Sequence, residues 1–259
     1  MNIKHISGYE AELKAFEQQE QEKQAKILEE AERKRQEKIP KLTDEGKNNI
    51  SSIYRAETKR AFLTFDDGPS VVTPKILEIL DQEKIKATFF LLGSRVEKMP
   101  EMTKTIYEKG HFIASHGYSH IYSQIYSSPK AVLNEYNQSM EIIRNTLGVP
   151  EYNSHLFRFP GGLVGGKYAE IKKQAKEILN QNEILSVDWN ALNGDAETNN
   201  LSVEFELNRL KETVENKQSV VILMHDAPAK SITAEALPNI ISYLREQGYE
   251  FKNFYDIIK

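Results

Sequence analysis

Residues 61–92, AFLTFDDGPSVVTPKILEILDQEKIKATFFLL, hold one strand–helix–strand unit. AFLTF and ATFFLL are short apolar runs rich in aromatic residues, as expected of strands buried on both faces. Between them, TPKILEILDQEK places Ile76, Leu77, Ile79 and Leu80 on one helical face, with Pro74 as a start signal. A crossover of that length returns the second strand parallel to the first. The same alternation recurs outward. HFIAS follows PEMTKTIYEKG and precedes SPKAVLNEYNQSMEIIRNTLG; HLFRF precedes KYAEIKKQAKEILNQ; ILSVDW precedes SVEFELNRLKETVENK; SVVILM precedes TAEALPNIISYLREQG. Six such units predict a parallel sheet, and suit a (β/α) barrel, closed or incomplete, better than an open sheet.

The chain has 259 residues, room for one sizeable domain and an appendage. With 39% hydrophobic residues, 11 Phe and 12 Tyr it can bury a substantial core. Lys and Arg total 34 against 38 Asp and Glu, without the basic surplus that a nucleic-acid partner requires. Cysteine is absent, so metal binding would fall to His, Asp and Glu. No apolar run approaches the ~18 residues of a membrane span. The opening MNIKHISGYEAELK lacks the apolar centre of a signal peptide, and the chain reads as soluble. Residues 17–38, EQQEQEKQAKILEEAERKRQEK, have Ile27 and Leu28 as their only large aliphatics and read as a solvated charged helix. The expected organisation is a helical spacer over 1–40, a linker over 41–57 and a catalytic domain over 58–259.

Polar clusters fall just beyond the C-terminal ends of the predicted strands, where barrels place active sites. They are Asp66-Asp67-Gly68-Pro69, His116-Gly117-Tyr118-Ser119-His120, Arg158-Phe159-Pro160-Gly161-Gly162, Asp188-Trp189-Asn190 and His225-Asp226. His116 and His120, four apart, can reach one ion, although such a pair is also common as two unrelated histidines. Asp67 is placed to complete a two-His, one-carboxylate set. Asp66-Asp67-Gly68-Pro69 reads either as a tight turn or as two carboxylates with separate tasks, one on a cation and one accepting a proton from water.

TFDDGPS, SHGYSH, FRFPGG, SVDWN and ILMHD resemble, in order, the five motifs of the polysaccharide deacetylases, the NodB-homology or carbohydrate esterase family 4 group. The resemblance covers roughly residues 58–259. It implies a distorted (β/α) barrel of the NodB-homology type, preceded here by the charged helix. It also implies one divalent metal ion, zinc or cobalt for example, and hydrolysis of N-acetyl groups on peptidoglycan or a chitin-like polymer. By resemblance Asp66 is the catalytic base and His225 the catalytic acid, with Asp67, His116 and His120 the metal ligands. Arg158 orients Asp66, and Asp188 pairs with His225; a structural ion pair is the other reading of each. Gly161 supplies a backbone N–H to the oxyanion, and Trp189 and Leu223 shape the slot for the acetyl methyl, unless they are plain core.

Two departures from the family pattern bear on the site. Gly117 stands where Ser or Thr is usual, which questions the rigidity of the histidine loop. Gly161 stands where an aromatic residue is usual, which removes a side chain from the cleft. His5, His111 and His155 read as surface or packing histidines, and Asp195 and Asp226 as loop caps sooner than groove residues. The expected partner is a polysaccharide outside the cell or at its surface, reached through a trimmed leader or anchor, with the chain acting as a monomer. Competing functions are an O-acetyl esterase on xylan, a carbohydrate-binding relative without catalysis, and a scaffold acting through its charged helix.

Overall fold

The computed structural model describes the backbone of residues 3–258 and the side chains of residues 12–258. The chain divides into two compact units, Met1–Ile39 and Pro40–Lys259. The first contains helix α1 (Ile3–Glu37), whose Leu13, Phe16, Ile27 and Leu28 are exposed. Ion pairs one turn apart, Lys34–Glu30 at 2.7 Å and Arg33–Glu37 at 3.0 Å, brace it as the charge pattern predicts. Among the described residues no helix is long and apolar enough to cross a membrane.

The second unit begins with α2 (Asp44–Ser51), β1 (Arg60–Asp66), α3 (Thr73–Gln82), β2 (Thr88–Leu91), α4 (Gly93–Lys98), α5 (Pro100–Glu108) and β3 (Phe112–Ser115). It continues through α6 (Tyr122–Ile125), α7 (Pro129–Leu147), β4 (Leu156–Phe157), α8 (Ala169–Gln181), β5 (Leu185–Ser186) and β6 (Ala191–Leu192). It ends with α9 (Val203–Val214), β7 (Ser219–His225), α10 (Ser231–Glu246), β8 (Glu250–Lys252) and a 3₁₀ turn, Phe254–Asp256. Ser128 and Ser202 open α7 and α9 by accepting the Ala131 and Phe205 N–H groups.

All strand pairs are parallel, in the order β5-β4-β3-β2-β1-β7-β6. Strand β8 pairs with the start of β1 and β2 with its end, so the two share one edge. The outermost strands, β5 and β6, are consecutive in the chain. Laid flat, the seven-strand path would separate them by about 29 Å, whereas the connection from Ser186 to Ala191 reaches at most about 17 Å. The sheet therefore has to curl, and it forms a barrel left open between β5 and β6, which do not pair.

Curling turns alternate side chains inward. Phe62, Phe90, Phe112, Ala114, Leu156 and Val221 fill the interior, and Phe254, Ile257 and Ile258 pack with them. Ile50 and Ile53 join the same cluster, 7% and 1% exposed. Residues 41–57 are thus more than the linker expected from their polarity: α2 lies within this unit and supplies part of its core.

Candidate active site

The chemistry-bearing residues continue the inward-facing rows of the core. Along β1 the row runs Phe62, Thr64, Asp66; along β7 it runs Val221, Leu223, His225; beyond β3 and β4 it runs Phe112, Ala114, His116 and Leu156, Arg158. A period-two pattern that is apolar below and ionisable above places a polar layer on a dry floor.

Asp67, His116 and His120 offer ligand atoms that all lie within 4.8 Å of one another. Asp67 Oδ1 is 3.6 Å from His116 Nε2 and 3.4 Å from His120 Nε2, and this buried oxygen has no hydrogen-bond donor among the described residues. The Nδ1 of His116 lies 2.8 Å from the Arg158 carbonyl, which fixes Nδ1 as the protonated nitrogen and leaves the Nε2 lone pair facing Asp67. Burial pulls the His116 imidazole down to about 3, so it stays a neutral ligand. An acceptor without a donor beside two imidazole nitrogens is the donor set a divalent cation requires.

The backbone is bent to make this set. Asp67 and His120 adopt left-handed conformations, φ 73° and 57°, which cost non-glycine residues free energy and mark functional turns. The histidine loop is fastened by Glu135 of α7, which accepts from the Tyr118 and Ser119 N–H groups, at 2.6 and 2.8 Å, and from the Ser119 hydroxyl at 2.8 Å. Gly117 has φ +87°, and a Cβ there would lie 3.2 Å from Glu135 Oε2. Its departure from the family pattern therefore does not loosen the loop: the space belongs to the Glu135 clamp.

Asp66 is 1% exposed and accepts from Arg158 Nη1 at 2.8 Å. Burial raises its carboxyl above the usual range, opposed by the charges of Arg158 and His225. Arg158 is fully buried and spans the barrel. It also donates to Thr64 Oγ1, to the Val187 carbonyl and to the Asp188 carbonyl, and lies 4.0 Å from the centre of the Phe90 ring. One side chain thus ties β1 to the short β5–β6 connection.

His225 Nδ1 bonds the carboxylate of Asp195 at 2.7 Å, and its N–H donates to the other oxygen at 2.8 Å. Burial alone would pull the imidazole down, but the Asp195 hydrogen bond and charge, with Asp66 and Asp67, outweigh it and lift it to about 9. The pairing expected with Asp188 is not formed. Asp188 precedes β6, on the Arg158 side, and its carboxylate accepts from the Leu163 N–H at 2.9 Å, holding the loop that carries Gly161. Asp195 follows β6, the neighbour of β7, and so arrives beside His225. Asp226 is a loop fastener. It accepts from the Thr73 hydroxyl at 2.6 Å, and a Cβ on Gly68 would collide with its carboxyl at 2.2 Å.

Asp66, Asp67, His116, His120 and His225 line one cleft of about 400 Å³, with Gly161, Trp189, Leu223 and Lys230. Tyr122, an aromatic residue not singled out from the sequence, also lines it and packs edge-on against His120. Its hydroxyl lies 2.6 Å from where a Cβ on Gly161 would stand. His111 and His155 are outside the cleft. His111 is fully buried and accepts from the Ala87 N–H, and His155 bonds the Glu183 carbonyl; the side chain of His5 lies outside the described residues.

Comparison with known proteins agrees with this architecture. The family model described as "Polysaccharide deacetylase" matches residues 54–179. A peptidoglycan-N-acetylglucosamine deacetylase of Bacillus cereus is 32% identical over 203 residues, 77% of this chain and 71% of that protein. The catalytic domain of a peptidoglycan N-acetylglucosamine deacetylase from Eubacterium rectale superposes with a TM-score of 0.70 at 31% identity, over 77% of this chain and 90% of that one. A CE4 esterase of Streptococcus mutans gives 0.72 at 30% identity, over 82% and 92%. Among curated relatives the chain spans about two thirds of the length of several, and 40% of the Listeria monocytogenes one.

Proposed function

The chain belongs to the polysaccharide deacetylase family, and on that premise we propose that it hydrolyses N-acetyl groups of an amino-sugar polymer, peptidoglycan or chitin-like, giving acetate and a free amine. The observation that carries the proposal is the convergence on one cleft of three groups: the Asp67–His116–His120 set, the Arg158-bound Asp66 and the Asp195-bound His225.

Asp67, His116 and His120 would hold one divalent cation, zinc in our reading, which when bound supplies Lewis acidity to the acetyl carbonyl and lowers the pKa of water. Asp66, kept off that set by its bond to Arg158, accepts the proton of the attacking water. The Gly161 N–H has no acceptor among the described residues and is available to the oxygen on which negative charge develops. His225 enters the reaction charged, because the Asp195 carboxylate bonded at Nδ1 stabilises the imidazolium, and its Nε2 gives a proton to the departing nitrogen. An amine expelled without protonation would be a poor leaving group. Trp189 and Leu223 border the cleft as apolar surface for the acetyl methyl. Polymers of this class lie in walls and outside cells, and we place the enzyme's work there.

The test is acetate release from N-acetylglucosamine oligomers, peptidoglycan and acetylated xylan with zinc supplied, with Asp66→Asn as control. Release from the amino-sugar polymers that disappears in Asp66→Asn supports the proposal. Release from xylan alone replaces it with an O-acetyl esterase. No release from any of the three sinks it.

A further inference from the structure

Behind His225, on the side away from the cleft, lies a closed polar cluster in which every member is buried. Asn193, Glu206 and Thr233 are fully buried and Asp195 is 2% exposed. Polar groups sequestered this completely are retained only where each is satisfied. Asp195 Oδ2 accepts from Thr233 Oγ1 at 3.0 Å and from the His225 N–H. Thr233 Oγ1 also lies 3.4 Å from Glu206 Oε1. Asn193 closes the ring: its Nδ2 donates to Glu206 Oε2 at 2.7 Å, while its side-chain oxygen accepts the Asp195 N–H at 3.2 Å. Gly194, between them, has φ +79°, and a Cβ there would strike Arg209 Cγ at 2.7 Å.

A threonine hydroxyl has one proton, and here it stands between two carboxyl groups. If it donates to Asp195, its contact with Glu206 is satisfied only when Glu206 is protonated and donates in turn. Ionised Glu206 competes for the same proton. Burial and the charge of Asp195 push the Glu206 carboxyl up to about 7, so both arrangements fall within the working range. The other charged groups facing the cluster are Lys230, whose ammonium donates to the Asp195 carbonyl oxygen, Glu197, tied to Arg209, and Asp66 and Asp67 across the cleft.

We propose that Thr233 and Glu206 are positioning residues for the reaction, which hold Asp195 against His225 and govern how firmly that imidazole keeps its proton. The inference rests on the reading of His225 as proton donor, but its structural part can be measured without substrate. Thr233→Val leaves Asp195 with only His225 as side-chain partner. Asp195 becomes more basic, and the imidazolium holds its proton more tightly. Glu206→Gln acts in the opposite sense, because the amide still accepts from Asn193, donates to Thr233 and turns that hydroxyl permanently toward Asp195.

The experiment is titration of the His225 ring by ¹⁵N NMR in the full chain, with kcat and KM for acetate release measured alongside. Thr233→Val is expected to raise the ring's midpoint and lower kcat about tenfold with little change in KM. Glu206→Gln is expected to lower the midpoint, and Thr233→Ser to restore it. Midpoints that stay at the wild-type value in both Thr233→Val and Glu206→Gln, with only thermal stability changed, would overturn the proposal. Wild-type protein that releases no acetate would sink the assigned reaction, while the ring titrations would still decide this inference.

Discussion

Asp66 and His225 are register partners, the last residues of adjacent parallel strands, with side chains on the same inward-facing row. The proton acceptor and the proton donor of the proposed reaction are therefore neighbours in the sheet, and what separates their roles is what each is bonded to. Arg158 binds one and Asp195 the other.

Arg158 makes the first prediction. Its guanidinium is fully buried and bonded to Thr64, Asp66 and the carbonyls of Val187 and Asp188. Arg158→Met leaves the Asp66 carboxylate without its cation and unfastens the β5–β6 connection, which should cost about 3–5 kcal/mol. Urea denaturation measures this, and an unchanged midpoint would mean that the barrel closes without the arginine. Asp66→Asn should lower kcat at least about a hundredfold.

A second concerns pH. His225 must be protonated to act as donor, so activity should fall as pH rises through about 9. Asp195→Asn removes the bond that lifts the imidazole, and the alkaline limb should move to lower pH. Asp188→Asn should leave that limb in place. The same shift affects stability. Because the imidazole is raised above its ordinary 6.5, its contribution is complete below about 6.5 and is lost as pH rises through about 9. Denaturation of metal-free protein across that window should show the loss in wild type and not in Asp195→Asn.

Glu135 makes a third. It touches neither the cation set nor the cleft, yet it fixes the loop between His116 and His120. Glu135→Ala should weaken zinc binding about 10–100-fold in a chelator competition while the barrel remains folded. Wild-type affinity in this variant would show that the strained backbone at His120 persists unaided.

Truncation separates the two units. A chain starting at Pro40 should retain the fold and the activity, because none of the described residues of α1 belongs to the core cluster. A chain starting at residue 58 loses Ile50 and Ile53, each large-to-small deletion at such sites costing about 2–5 kcal/mol. Circular dichroism melts of the two should differ sharply.

Much of this architecture was legible in the sequence, because the short, largely apolar strands β1, β3 and β7 end abruptly in polar clusters. The residues proposed as cation set and base stand at those endings. Strands β5 and β6 were less legible, each only two residues long, too short to show a period. That is why the pairing with His225 was expected of Asp188 and Asp195 was read as a loop cap: only the placement of β6 beside β7 decides which of the two meets His225. Helix α2 was hidden for a different reason. DEGKNNIS carries one large apolar residue, and its burial follows from the cavity that the curled sheet leaves below.

Tyr122 and Gly161 share a space that holds one aromatic side chain and not two. Changes at these positions are consequently ordered in time. A lineage that places a large residue at 161 must first reduce residue 122, and the reverse order passes through a protein whose cleft is blocked. Mutational libraries that vary one position at a time will score position 161 as intolerant, and the alternative cleft shape becomes accessible only when the two are varied together.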